Sequence, residues 1–204
     1  ESQPLPHPNL INTLERHRNG SWKKPISWHA QSFFSDFQEQ YKNKTIILDS
    51  GCGKGHSCQY LQQLFPNQLI VGIDKSAYRL RFSSKKTNCY RANLIDFWRL
   101  AQRHNLSISR HYVLYPNPWP KNRQMQRRWY AHPIFKILMS LSPYTEIRSN
   151  WLHYLQEWQW CLQYQNLKLK STIEQYKPQV GISAFEKKYL ATDTPIYRLI
   201  CENN

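Results

Sequence analysis

Blocks of hydrophobic residues alternate with polar blocks from Thr45 onward and predict a repeating strand and helix pattern. The segment TIILDSGCGKGHSCQYLQQLFPNQLIVGID holds an apolar run, three glycines, a run with helical spacing, a short turn and a second apolar run. This order is typical of a βαβ unit. Because two strands joined by a helix run parallel in a sheet, we expect a parallel sheet that starts with this unit.

The same alternation continues toward the C-terminus. NCYRAN, RHYVLY and YTEIRS predict a third, a fourth and a fifth strand. Three segments predict helices: DFWRLAQRHN, MQRRWYAHPIFKILMSL and WLHYLQEWQWCLQY. The second helix is interrupted or starts around Pro133. The third carries an aromatic stripe that belongs in the core. SAFEKKYLATDTPIYRLICE predicts two strands around a Thr-Asp-Thr-Pro turn, an antiparallel pair that closes the sheet. The predicted fold class is α/β.

The N-terminal segment has a different composition. Residues 1–28 contain four prolines and scattered cations without a sustained period, which predicts an irregular arm, partly disordered. Residues 29–204 then form a single domain, a size that supports a full hydrophobic core.

Charge and cysteine usage narrow the class of partner. The chain carries 28 Lys and Arg against 13 Asp and Glu, a formal charge of +15, which favours a polyanion such as nucleic acid over a merely soluble basic protein. The five cysteines form no Cys-x-x-Cys pair and the histidines are scattered, so we expect no disulfide framework and no metal site.

No apolar run approaches the length of a membrane span and no signal-peptide core is visible, so we expect no membrane partner and a cytoplasmic location.

Three glycines between the first predicted strand and the following helix indicate a ligand site. Gly51, Gly53 and Gly55 lack the Cβ atoms that would keep a ligand from the backbone. Their alternate spacing, with His56 in the place of the last fingerprint glycine, disfavours a nicotinamide dinucleotide. Asp74 ends the second predicted strand, where a carboxylate can accept both hydroxyls of an adenosine ribose.

The stretch LYPNPWPKNRQMQRR follows the fourth predicted strand and reads as a stiff, basic loop. Its three prolines can neither continue a helix nor pair inside a sheet. The cations Lys121, Arg123, Arg127 and Arg128 can neutralise phosphates. Trp119 offers an aromatic surface, although the simpler interpretation is that it braces the loop against the sheet.

Four segments, in order, resemble a known family. The pattern Asp49-x-Gly51-x-Gly53-x-Gly55 with a later strand-terminal acid resembles the cofactor turn of class I S-adenosylmethionine-dependent methyltransferases. YPNPWPKNRQMQRR resembles the Pro/Ser-Asp-Pro-Trp-His/Pro-Lys-x-Arg loop of the tRNA (guanine-N7-)-methyltransferase family. EIRSNWLHY and SAFEKK are similar to that family's Thr-Asp-Trp and Thr-x-Phe-Glu segments. The resemblance covers roughly Ile46 to Ile200.

The resemblance implies a fold, a reaction and a set of site residues. The fold is Rossmann-like: a mostly parallel seven-stranded sheet with an antiparallel C-terminal strand and helices on both faces. The reaction moves a methyl group from S-adenosylmethionine to the variable-loop guanine of tRNA and leaves S-adenosylhomocysteine. The partner is tRNA or another structured RNA, and the oligomeric state stays open with a monomer favoured. The implied cofactor-binding residues are Asp49, Gly51, Gly53, Gly55, Asp74, Asn93 and Asn117; the implied substrate-binding residues are Lys121, Arg123, Arg127, Arg128, Asn150 and Ser183 through Glu186; the implied catalytic residue is Asn117.

The sequence departs from the family at four of these positions. Asn93, Asn117 and Asn150 stand where the family has aspartate, and Asp49 stands where it usually has glutamate. Guanine N7 attacks with a free lone pair, so transfer needs alignment but no proton abstraction. The product guanine is cationic, however, and a carboxylate would stabilise it more than an amide. We therefore expect a slower enzyme or a different target, with two alternatives: an inactive paralogue that binds tRNA as an RNA-binding module, or a small-molecule methyltransferase.

Overall fold

A computed structural model describes residues 6–17 and 22–203. The strands are β1 (Ile46–Ser50), β2 (Leu69–Asp74), β3 (Asn88–Arg91), β4 (Ile108–Leu114), β5 (Tyr144–Ser149), β6 (Leu169–Tyr176) and β7 (Ile196–Asn203). The helices are α1 (Pro8–His17), α2 (Trp28–Gln40), α3 (His56–Leu64), α4 (Ala77–Leu80), α5 (Leu94–Arg103), α6 (Phe135–Ser140), α7 (Leu152–Tyr164) and α8 (Ala184–Ala191). Two 3-10 segments, Asn122–Arg127 and Trp129–Ala131, follow β4. Among the helices in the described ranges, none has the length and apolar content to cross a membrane.

The strands form one sheet in the order β3-β2-β1-β4-β5-β7-β6. The pairs among β1 to β5 are parallel, whereas β7 runs antiparallel to both β5 and β6. The predicted mostly parallel, seven-stranded sheet with an antiparallel C-terminal strand is confirmed. Strand β2 lies on one side of β1, and β4 lies on the other side, so the strand order reverses at β1. The carboxyl ends of β1 and β4 therefore flank the crevice where ligands bind in open α/β sheets.

Both faces of the central strands are covered. Every residue of β1 is buried, which is typical of a strand between two helical layers. Ile46 and Leu48 pack into the larger core cluster with residues of α2, α5, α6 and α7, while Ile47 packs into a second cluster with residues of α3. The predicted aromatic stripe on α7 is part of the larger cluster, with Tyr154 and Trp158 fully buried.

One of the two antiparallel neighbours of β7 differs from the predicted one. Residues 184–191, predicted as a strand, form α8, and the outer strand that pairs with β7 is β6. The Ser183 side chain accepts a hydrogen bond from the backbone N–H of Glu186, which caps the helix N-terminus. Ser-x-x-Glu is a capping-box sequence, and this local signal favours a helix over the predicted strand.

The N-terminal arm is not irregular throughout. Pro8–His17 forms α1, whose Leu10 and Leu14 are buried in the larger core cluster. The backbone N–H of His7 donates to the Glu157 carboxylate at 3.1 Å, which joins the arm to α7. The prediction of an irregular arm is therefore wrong for residues 8–17, because tertiary burial stabilises a short helix that has little intrinsic signal. Residues 1–5 and 18–21 lie outside the described residues, and a domain boundary at residue 28 stays a prediction.

Candidate functional site

A cavity of about 990 Å³ lies at the carboxyl ends of the central strands. Four strands end at its wall: β1 with Ser50 and Gly51, β2 with Asp74, β4 with the proline loop, and β5 with Ser149 and Asn150. Much of the remaining lining, here called the aromatic wall, is apolar or aromatic. Its residues are Leu94, Ile95, Trp129, His132, Phe185 and Tyr189, together with His17 and Trp22 from the N-terminal region.

The glycine turn is in the left-handed backbone region at all three glycines. The φ angles are +86° at Gly51, +58° at Gly53 and +75° at Gly55, values that L side chains rarely adopt. No atom lies within 4 Å of the position that a Cβ on Gly51 would take. The backbone of the turn is thus open to a ligand at Gly51, as the glycine spacing predicts.

Asp74 joins the glycine turn to the end of β2. Its Oδ2 accepts from the backbone N–H of Gly53 at 3.0 Å, and its Oδ1 accepts from the N–H of Ser76 at 2.8 Å. The Arg79 guanidinium also donates to Oδ1 at 3.0 Å and forms an ion pair with the buried carboxylate. Because the Arg79 side chain is about half-exposed, it is the partner that a ligand hydroxyl can most readily replace.

Four predicted cofactor residues do not line the cavity: Asp49, Gly53, Gly55 and Asn93. A Cβ on Gly55 would lie 3.1 Å from Cys89 Sγ, so this glycine faces protein atoms. The buried Asp49 carboxylate accepts from the Ser57 hydroxyl at 2.5 Å and from the Cys58 thiol at 3.3 Å, and burial raises the pKa of Asp49 to about 6. The Asn93 side chain caps α5 by accepting from the N–H groups of Ile95 and Asp96. The cavity wall beside this cap consists of Leu94 and Ile95. Asp49 therefore joins the end of β1 to α3 through Ser57 and Cys58. A cofactor contact of the Asn93 side chain stays a prediction.

The proline loop has a strained backbone and lines the cavity. Tyr115 and Trp119 have φ angles of +52° and +46°, unusual for residues with large side chains. Asn117 is exposed at the cavity wall, and its Oδ1 accepts from the N–H of Trp119 at 3.2 Å. The Arg127 guanidinium lies 4.9 Å from the Trp119 ring centroid, within cation–π range.

The four cations after the prolines separate into two groups. Lys121, Arg123 and Arg127 are exposed, as a phosphate-binding role requires. Arg128 is 1% exposed and forms an ion pair with Glu157 at 2.7 Å. It also donates to the Trp119 carbonyl at 3.3 Å and thereby anchors the loop to α7. The prediction that Arg128 contacts RNA is wrong, because its guanidinium is used inside the core.

Glu186 is also buried and paired. Its Oε1 accepts from the Arg148 guanidinium at 2.9 Å and from the Tyr115 hydroxyl at 2.7 Å, and its Oε2 accepts from the N–H of Ile182 at 3.0 Å. Burial, and then the charge of Glu186, raise the pKa of Tyr115, which keeps its hydroxyl protonated. Direct substrate contact by Glu186 does not fit this geometry, nor does it fit the capping role of Ser183. Both residues position α8, which presents Phe185 and Tyr189 to the cavity.

Ser50 and His111 form a buried hydrogen bond that no sequence pattern indicated. The Ser50 hydroxyl lies 2.8 Å from His111 Nε2 and accepts from Trp98 Nε1 at 3.0 Å. His111 is in the middle of β4, so this contact joins the end of β1 to the neighbouring strand. Burial lowers the pKa of His111 to about 3, and the ring is therefore neutral at physiological pH.

Replacing His111 with glutamine should remove part of the acid sensitivity of the fold. Between pH 6.5 and 3 the unfolded chain binds a proton at His111 that the folded chain does not, so stability rises with pH across this window. From pH 7 to pH 5, the wild type should lose about 2 kcal/mol more unfolding free energy than His111→Gln. Urea unfolding at both pH values measures this difference. The exposed His29→Gln should behave as wild type, and equal losses in all three proteins would contradict the assignment.

The aromatic wall could not be found from sequence periodicity. Trp22 and His132 are in ring contact, with centroids 4.5 Å apart, although 110 positions separate them (132 − 22). Trp129 packs on Trp98 at 4.8 Å. Burial lowers the pKa of His132 to about 4, so this wall is neutral and suits a flat, uncharged ring system.

Comparisons with known proteins agree with the fold and the family resemblance. A family model described as "Putative methyltransferase" matches residues 43–199. A tRNA (guanine-N(7)-)-methyltransferase from Acetivibrio thermocellus is 29% identical over 140 residues, covering 58% of this chain and 63% of that protein. The corresponding protein of Mycoplasma genitalium is 26% identical over 114 residues, covering 50% of this chain and 52% of that protein. A bifunctional methyltransferase from Rickettsia bellii is 28% identical over 127 residues, covering 59% of this chain and 23% of that protein.

A solved structure shares the architecture. The crystal structure of a SAM dependent methyltransferase from Archaeoglobus fulgidus superposes with a TM-score of 0.54 at 13% identity, covering 95% of this chain and 99% of that chain. At this identity the likeness shows the fold alone. The chain spans about half the length of the Mycoplasma genitalium relative and about a quarter of the Rickettsia bellii relative. Since the family model covers more than half of the chain, the chain belongs to this methyltransferase family, and tRNA (guanine-N(7)-)-methyltransferases are among the proteins that it resembles.

Proposed function

We propose that this protein transfers a methyl group from S-adenosylmethionine to N7 of a guanine in tRNA, the variable-loop guanine by family resemblance. One observation carries the proposal. A single cavity is lined by Gly51 and Asp74 at the ends of β1 and β2 and by Asn117 and Asn150 after β4 and β5. A donor at the first pair of residues and an acceptor base at the second pair would meet there. The names of the matched tRNA (guanine-N(7)-)-methyltransferases support guanine N7 as the target, and the resemblance of the glycine turn to class I methyltransferases supports S-adenosylmethionine as the donor.

The residues on the β1 and β2 side fit the donor. The open backbone at Gly51 allows close approach, and Asp74 can accept from ribose hydroxyls once Arg79 moves aside. The apolar Leu94 and Ile95 would contact the adenine. S-adenosylmethionine, when bound, supplies an electrophilic methyl group. The protein's own task is to orient this donor and to exclude water.

The residues on the β4 and β5 side fit a nucleotide. Asn117 and Asn150 are both exposed at the cavity wall, where their amides can hydrogen-bond a base edge. Phe185 and Tyr189 provide flat surfaces against which a base can stack. The exposed Lys121, Arg123 and Arg127 lie along the same loop and can neutralise backbone phosphates. No general base is required, because guanine N7 has a free lone pair.

Transfer of radiolabelled methyl from S-adenosylmethionine to an unmodified tRNA transcript tests this proposal. Wild-type protein should place the label on guanine N7. Asn117→Asp should raise kcat about tenfold, because a carboxylate at the cavity wall stabilises the positive charge that develops on the guanine. Asn122→Asp adds the same charge to the loop outside the cavity and should leave kcat unchanged.

The same assay separates the alternatives. If neither the wild type nor Asn117→Asp transfers methyl while tRNA still binds, the protein is an RNA-binding module rather than an enzyme. If tRNA does not bind even at low salt, the exposed cations have no role in RNA recognition and the small-molecule alternative gains support.

A further inference from the structure

Two cysteines near the glycine turn, Cys52 and Cys58, meet the more distant Cys89 of β3. The Sγ atoms of Cys52, Cys58 and Cys89 all lie within 4.8 Å of one another, and those of Cys58 and Cys89 are 3.6 Å apart. The three thiols come from the turn after β1, from α3 and from β3. Cys52 and Cys58 are buried, and Cys89 is half-buried and so gives solvent access to the cluster. Their spacing along the chain matches no metal-binding motif, which is why the sequence analysis predicted no site.

A glycine in the middle of β2 makes room for two of the sulfurs. A Cβ on Gly72 would lie 2.5 Å from Cys58 Sγ and 2.8 Å from Cys52 Sγ, closer than real Cβ atoms approach. Gly72 has ordinary strand geometry, so the lack of a side chain serves packing rather than backbone freedom. Ordinary side-chain packing does not require three thiols to share one space, and this convergence therefore indicates a chemical role.

We propose that Cys52, Cys58 and Cys89 bind one thiophilic d10 metal ion of the zinc, cadmium or copper(I) class. Three sulfur ligands select soft ions over magnesium or manganese. Tetrahedral zinc–thiolate bonds of about 2.3 Å place neighbouring sulfurs about 3.8 Å apart, close to the separation of Cys58 and Cys89. A tetrahedral ion held by the three thiolates would take its fourth ligand from water, on the half-buried Cys89 side of the cluster. Each thiol that coordinates releases its proton to solvent, so binding weakens in acid.

This site is independent of the proposed methyl transfer. Cys52 lies between Gly51 and Gly53, so a bound ion would hold the turn against α3 and β3. Because an ion that binds only the folded chain stabilises it, the thermal midpoint should rise with ion concentration. Neither the ion affinity nor this thermal shift requires S-adenosylmethionine or RNA, and both can be measured if the proposed function fails.

Titration of the full, reduced chain with Cd²⁺ and separately with Zn²⁺ tests the site. We expect one equivalent of either ion to bind, with a sulfur-to-cadmium charge-transfer band in the ultraviolet. Cys89→Ser should weaken binding by at least about 100-fold, more than the loss of an outer partner costs. Cys201→Ala removes a buried thiol outside the cluster and should bind as wild type.

The outcomes are distinct. Failure of folded wild type to bind Cd²⁺ at one equivalent would overturn the proposal. Equal weakening in Cys89→Ser and Cys201→Ala would do the same, because the ion would then be bound elsewhere. If circular dichroism shows that Cys89→Ser does not fold, Cys52→Ala provides the second test, with the same loss of affinity expected. Mg²⁺ should neither bind stoichiometrically nor shift the thermal midpoint.

Discussion

Replacing Arg128 with methionine is expected to lower the free energy of unfolding by about 3 to 5 kcal/mol, the usual cost of leaving a buried charge unpaired. The partner is Glu157, which is fully buried. Its carboxylate accepts from the Arg128 guanidinium at 2.7 Å, from the Tyr130 hydroxyl and from the backbone N–H of His7. Without Arg128, the acid would stay in the core, and its one remaining ion-pair partner among the described residues would be the His153 ring, whose Nε2 lies 3.6 Å from Glu157 Oε1. Urea unfolding at neutral pH measures the loss.

The preceding residue provides a matched control. Arg127 is exposed, and the same change to methionine should alter stability by no more than about 0.5 kcal/mol. It should instead weaken tRNA binding. The slope of the logarithm of the binding constant against the logarithm of salt concentration should become shallower by about one unit. If Arg127→Met were the destabilised variant, or Arg128→Met folded normally and lost only RNA affinity, the assignment of the two arginines would be reversed.

Asp74→Asn is expected to weaken S-adenosylmethionine binding by about 10- to 100-fold. Hydrogen bonds to a charged acceptor contribute about 1.5 to 3 kcal/mol, and the asparagine amide offers only one acceptor oxygen. Its NH₂ group would face either the N–H of Gly53 or the N–H of Ser76, both of which need an acceptor. If the NH₂ group faced Gly53, the glycine turn would lose one of its hydrogen bonds to β2 and keep those from Gly51 and Cys52 to the Ile73 carbonyl. Equilibrium dialysis with radiolabelled S-adenosylmethionine measures the affinity.

Asp193→Asn is the control for Asp74→Asn. Asp193 is exposed with a φ of +48°, a backbone conformation that asparagine tolerates well. The control should bind the donor as wild type does. Equal affinity in both variants, with circular dichroism showing both folded, would remove Asp74 from the donor site. Recovery of methyl transfer by Asp74→Asn at high donor concentration would show that only binding was affected.

The βαβ unit from β1 to β2 could be predicted because its signals are local. An apolar run, three glycines, a helical run and a terminal acid stand in the order in which the chain forms them, and no distant residue is needed to interpret them. The structure bears this out with glycines in the left-handed region and with Asp74 bonded to Gly53. The proline loop was predictable for the same reason, since proline restricts its own backbone wherever it stands.

Other features depend on contacts between residues far apart in the chain. Arg127 and Arg128 are identical in type and adjacent, yet one is exposed and the other buried, because Glu157 on α7 lies beside only one of them. The convergence of Cys52 and Cys89 likewise requires the sheet order, which places β3 beside β2 and behind the turn.

The chain alone thus specifies which backbone segments can approach a ligand, because glycine and proline act through their own geometry. Which charged side chains face that ligand depends on burial. Burial is set by packing between distant elements, and it determines whether a cation meets solvent or a buried acid.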